Sequence, residues 1–216
     1  MVTARDEADR LADTLSALRE AFPGARVVVG DDASKDGTAE VARAAGVEVV
    51  HSDRRLGKGG IATLAARRIL EAGPATLVLA DGDLGSSARE LPRLVDALDR
   101  GEGDLAVASF ARRVGGGFGV ALGFAGWATR RRTELRLSAP ISGQRALRPE
   151  AVDAVLPFAP GFGMEIGMTI DAHRAGFRVV EVELDLSHRA TGRTAAGFLH
   201  RARQLRDFLR VYISRR

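Results

Sequence analysis

Residues 75–83, Ala75-Thr76-Leu77-Val78-Leu79-Ala80-Asp81-Gly82-Asp83, decide the fold. A short apolar run bounded by Gly73-Pro74 on one side and an acidic turn on the other reads as a buried strand. Two carboxylates at i and i+2 beyond such a strand reach into one cavity. As hard oxygen donors they suit Mg²⁺ or Mn²⁺ carrying a diphosphate. Taken alone, Asp-Gly-Asp is equally a plain turn.

The same strand-then-helix rhythm extends outward. Helices are predicted over Asp6–Phe22, from Asp36 or Ser34 to Ala45, over Gly59–Ala72 and over Ser87–Arg100. Strands are predicted over Arg26–Gly30, Val47–His51 and Asp104–Ser109. Alternating units of this kind build a parallel sheet with helices on both faces. Ligands bind beyond the carboxyl ends of such strands. Only Met1 to Ala4 can form a strand before the first helix, so that strand is very short or the start lies upstream.

Two more strand ends carry chemistry. Asp31-Asp32-Ala33-Ser34-Lys35-Asp36-Gly37-Thr38 follows the strand RVVVG. Adjacent acids there can accept from a base or ribose, while Ser34, Asp36 or Thr38 caps the next helix. Leu56-Gly57-Lys58-Gly59-Gly60 opens a helix, where glycines and backbone amides suit a phosphate. The P-loop spacing is absent, so a plain flexible loop is the alternative.

With Thr3-Ala4-Arg5-Asp6-Glu7 at the first strand end, these segments together resemble the family-2-type glycosyltransferases of GT-A fold. The resemblance covers essentially the whole chain and is most specific over 3–95. Thr3 and Asp6 stand where that pattern has Pro and Asn. It implies an α/β fold: a Rossmann-like, mostly parallel mixed sheet in a single domain. It also implies that Ala4, Arg5, Glu7, Asp31, Asp32, Lys58, Asp81 and Gly82 bind the nucleotide sugar. Asp83 would be the catalytic metal ligand for Mg²⁺ or Mn²⁺.

The second half is less regular. A strand is predicted over Ser142–Leu147, helices over Pro149–Leu156 and Met164–Ala175, a strand over Phe177–Leu186 and a helix over Ala195–Ile213. Ser142-Gly143-Gln144-Arg145-Ala146 and Gly161-Phe162-Gly163-Met164-Glu165-Ile166-Gly167 resemble segments of polyprenyl-phosphate sugar transferases and glucosyl-3-phosphoglycerate synthases. The resemblance puts Gly143, Gln144 and Arg145 on the acceptor side and makes Glu165 catalytic. Glu165 is equally a first-turn acid favoured by the helix dipole. His188, beyond the last strand, would join Asp83 on the metal, and Arg189 and Arg193 would bind phosphate. His51, His173 and His200 have no such context and read as incidental.

The expected organisation is 1–110 for the nucleotide sugar, 111–194 for the acceptor and 195–216 as a basic amphipathic helix. That helix suits peripheral contact with a membrane or packs on the domain with arginines outward. The run from Val114 to Thr129 is too short to span a bilayer, which needs about 20 apolar residues. No targeting segment is evident, so a cytoplasmic protein is expected, on the inner membrane face if peripheral.

At 216 residues, 45% hydrophobic and 28% charged, the chain is globular rather than disordered or fibrous. It has no Cys, so thiolate metal sites and Cys nucleophiles are excluded. The net charge of +4 rests on arginines scattered among 28 acids, so nucleic acid is not the expected partner. Lysine occurs only at 35 and 58. A dinucleotide oxidoreductase would need G-x-G-x-x-G after the first strand, which is missing. The expected activity is metal-dependent transfer from a UDP- or GDP-sugar to a polyprenyl phosphate. The alternatives are a small phosphorylated acceptor such as 3-phosphoglycerate, or a nucleotide-binding chain without catalysis. A lipid phosphate is already anionic, whereas an inverting hydroxyl transfer would need a base, for which Glu165 is the candidate. A homodimer stays open.

Overall fold

The computed structural model describes residues 1–110, 120–186 and 195–215. Seven strands form one sheet: β1 (Val2–Ala4), β2 (Val28–Asp32), β3 (Glu48–Ser52), β4 (Leu77–Asp81), β5 (Leu105–Phe110), β6 (Arg145–Leu147) and β7 (Val179–Leu184), in the order β3-β2-β1-β4-β6-β5-β7. Six pair in parallel wherever they adjoin; β6 runs antiparallel between β4 and β5. The short β1 is a full central strand, paired with β2 and β4.

Strand periodicity splits the core into two faces. Ala80, Ala106 and Ala108 point to one, packed by α1 (Leu11–Ala21) and α4 (Pro92–Asp99) through Leu11, Leu15, Leu94 and Leu98. Leu77, Leu79, Leu105 and Val107 point to the other. That face is covered by α3 (Lys58–Leu70), α6 (Pro149–Val155) and α7 (Met164–Arg174). A third cluster joins α5 (Val120–Thr133), α7 and α8 (Ala195–Ser214) through Ala125, Ile166, Ile170, Phe208 and Val211.

Three element readings change. The helix predicted from Asp6 begins only at Leu11, because residues 5–9 form a loop with Asp6 at φ 55°. The helix predicted over 87–100 is split by Pro92 into a 3-10 turn, Gly85–Glu90, and α4. Within the apolar run, residues from Val120 onward form α5. The remaining helix, α2 (Thr38–Ala44), does not take Ser34 as its cap; Thr38 N donates to Asp36 Oδ1 at 3.0 Å.

Candidate active site

The parallel order brings the carboxyl ends of β1, β2 and β4 side by side. Antiparallel β6 enters at that same edge, since Arg145 pairs with Leu79. Residues 3–7, 31–38, 56–60, 81–83 and 142–145 therefore converge from separate parts of the chain.

At the centre sits the Lys58 ammonium. It lies 2.6 Å from Asp81 Oδ1 and 2.9 Å from Glu165 Oε1. Burial alone would lower its pKa, but the Asp81 and Glu165 carboxylates outweigh this and raise it well above the ordinary lysine value. Lys58 is thus held charged. Gln144 Nε2 donates to Asp81 Oδ2 at 2.8 Å, and Thr3 Oγ1 to Asp81 Oδ1 at 3.3 Å. Gly143 closes the cluster: a Cβ there would lie 2.6 Å from Asp81 Oδ2 and would also strike Lys58 Nζ. A side chain at that position would push Lys58 and Asp81 from their present places.

Asp83 is half-buried two residues beyond Asp81. Its turn is fastened from α1: Thr14 Oγ1 donates to Gly82 O at 2.8 Å, and Arg10 Nη1 to Asp83 O at 3.1 Å. Gly82 packs on Ala4, whose Cβ would be 3.1 Å from an added Cβ. Ala4 is itself buried. Arg5 Nε lies 3.7 Å from Asp6 Oδ2. Glu7 N donates to Thr38 Oγ1 at 2.9 Å, and Ala8 N to Asp36 Oδ2 at 3.1 Å. The serine, acid and threonine of the second motif thus stitch the first two strand-end loops together.

The paired acids of β2 are enclosed. Asp31 accepts from Ser34 and lies 2.7 Å from His51 Nδ1. Asp32 accepts from Leu56 N at 2.6 Å and Gly57 N at 3.0 Å, and so holds the loop that presents Lys58. Both acids reach the expected strand end, but their oxygens are bonded within the protein.

Arg145 departs from its expected role. It is fully buried, donating to Ser142 O at 2.9 Å, Thr169 Oγ1 at 2.9 Å and Pro140 O at 3.1 Å. Burial lowers its pKa to about 10, with Glu165 and Glu181 offsetting part of the effect. β6 is buried on both faces, and the guanidinium is taken up by the 140–142 turn and Thr169. His188, Arg189 and Arg193 lie outside the described residues.

Two residues were missed. His51, read as incidental, pairs with Asp31 in the β2–β3 register, and that register was the available signal. Asp207 of α8 accepts from Phe162 N at 3.3 Å. Gly161, at φ 60°, meets this carboxylate so closely that any Cβ would overlap it. Asp207 therefore fixes the turn that leads into Glu165. Nothing local to its arginine-rich helix signals that role.

Among the described residues no group of three His, Asp or Glu could hold a metal. A Mg²⁺-type site needs only one or two carboxylates when phosphate and water supply the other ligands. Asp83 fits that requirement.

The family model for glycosyl transferase family 2 matches residues 1–153. An undecaprenyl-phosphate mannosyltransferase of Micrococcus luteus is 34% identical over 213 residues, covering 89% of this chain and 84% of that protein. A polyprenol monophosphomannose synthase of Mycolicibacterium smegmatis is 28% identical, covering 89% and 78%. The crystal structure of glucosyl-3-phosphoglycerate synthase from Mycobacterium tuberculosis, in complex with Mn²⁺, UDP and phosphoglyceric acid, superposes with a TM-score of 0.79. It is 28% identical, with 99% of this chain and 76% of that chain covered. The sheet-edge site, the family match over most of the chain and these relatives place this chain in glycosyl transferase family 2, as a glycosyltransferase of GT-A fold.

Proposed function

We propose that the chain moves a sugar from a UDP- or GDP-sugar to a polyprenyl phosphate. The observation that carries this reading is the Lys58–Glu165 ion pair. Glu165 is 3% exposed and its Oε1 is held by the lysine. Taking a proton from a hydroxyl acceptor would break that pair. An acceptor that arrives as an anion needs no base.

Each half then has a task. Asp83 holds Mg²⁺ or Mn²⁺ together with the donor diphosphate, and His188 is assigned to the same ion. The metal offsets charge on the departing nucleotide. Residues 3–7 and the loop fastened by Asp32 form the nucleotide pocket. Asp81 and Gln144 line its inner wall, and Lys58 balances the carboxylates against the phosphates. On the acceptor side, Gly143 lets Lys58 and Asp81 pack against the backbone, while Arg189 and Arg193 are assigned to phosphate. The relatives named for polyprenyl phosphate support the acceptor. No described helix is long and apolar enough to cross a membrane.

A small phosphorylated acceptor is the second reading, favoured by the coverage of the glucosyl-3-phosphoglycerate synthase structure. Incubation with UDP-glucose or GDP-mannose, Mn²⁺ and either undecaprenyl phosphate or 3-phosphoglycerate separates the two by mass spectrometry of the products. A hexosylated lipid is expected. Glycosylation of phosphoglycerate alone would overturn the lipid reading.

A further inference from the structure

Among the described residues, four of the five exposed large apolar side chains, Leu122, Trp127, Leu209 and Ile213, lie on α5 and α8. Leu209, Tyr212 and Ile213 share one stripe of α8 at i, i+3 and i+4. Trp127 meets Tyr212 with ring centroids 4.9 Å apart, so the two helices present one joined aromatic face. Arg132 stacks 4.1 Å over the Tyr212 ring. Arg130, Arg131, Arg203 and Arg210 are exposed on the same two helices. The only acid in either helix is Asp207, which is buried and bonded to Phe162 N and Arg206.

We propose that this α5–α8 face docks on an anionic membrane surface. The proposal rests on the lipid-phosphate reading above and names where the acceptor is met. Amphipathic rings suit the boundary between head groups and acyl chains, and arginines beside them suit anionic head groups. Charge argues against a second copy as the occupant. A two-fold interface would set arginines against arginines, and neither helix presents an outward acid to balance them. Position fits as well. The inner side of α8 holds the turn into Glu165 through Asp207, while Leu209, Arg210 and Ile213 face outward. The docked surface thus borders the acceptor side of the site.

Trp127 is the only tryptophan, so its emission reports on the face directly. The full chain is titrated with vesicles of phosphatidylcholine alone and of phosphatidylcholine with phosphatidylglycerol. A blue shift and co-sedimentation are expected with the anionic vesicles only, weakening as salt rises. Leu209→Glu with Ile213→Glu should weaken vesicle binding about tenfold or more. The double variant should keep the melting temperature and its turnover of a short-chain, water-soluble polyprenyl phosphate. Equal binding to neutral vesicles, or no blue shift, would overturn the proposal. So would a dimer in light scattering that the double variant dissociates. The two readings fail separately: binding without turnover of any polyprenyl phosphate would remove the acceptor reading alone, and turnover without binding would remove docking alone.

Discussion

The β1–β2–β3 edge and the α7–α8 corner are both fastened by carboxylates on backbone amides, but over different reaches. At the edge, Asp32 takes Leu56 and Gly57, and Asp36 takes Ala8 and Thr38. The Asp32 clasp and the Asp36–Ala8 bond each join segments that follow adjacent strands. At the corner, one carboxylate from the end of the chain, Asp207, fastens the turn before Glu165, and Arg215 pairs with Asp171 at 2.5 Å. The difference shows that acids in a family-like motif can act as scaffold. On the proposed reading the chemical burden falls on fewer groups, chiefly Asp83 and the Lys58–Asp81–Glu165 cluster.

The largest test of that division is Asp83→Ala. Turnover should fall by at least ~10²–10³-fold with stability almost unchanged, read from sugar transfer and thermal melts. The proposed reading gives Asp83 the chemistry and the clasping acids the structure, so an equal loss of stability would erase the contrast. Next is Lys58→Met, which leaves Asp81 facing Glu165. Removing one partner of a largely buried ion pair should cost roughly 3 kcal/mol in urea unfolding, near the low end because Asp81 is partly exposed. Adding Glu165→Gln should return part of that loss.

Asp32→Ala frees two backbone amides and should cost about 2 kcal/mol, with weaker donor binding because the Lys58 loop is released. Asp207→Ala should cost about 1–2 kcal/mol and lower turnover while leaving the donor KM unchanged. Asp207→Asn, which keeps an acceptor oxygen, should recover most of both. His51→Ala removes one bond to Asp31 and should cost about 1 kcal/mol, the smallest effect of the series.

What could be read from sequence follows the same boundary. The apolar runs before Asp31 and Asp81 announce strands whose ends carry acids, because period and spacing are local. Which amides those acids bind is set by loop docking and the β2–β3 register, so Asp32 on Leu56 and His51 on Asp31 stayed hidden. The resemblance of residues 142–146 put Arg145 on the acceptor side, yet it sits in a central strand buried on both faces. Nothing local to the sequence of α8 singles out Asp207. Only the packing of α8 on Gly161 gives it a role.

The most direct measurement is calorimetric titration of UDP and GDP into the wild-type chain and Asp83→Ala, with Mn²⁺ and with chelator. One nucleotide should bind the wild type in a metal-dependent way, and that dependence should vanish in the variant. Equal binding with chelator, or in Asp83→Ala, would contradict a metal-held diphosphate at the end of β4.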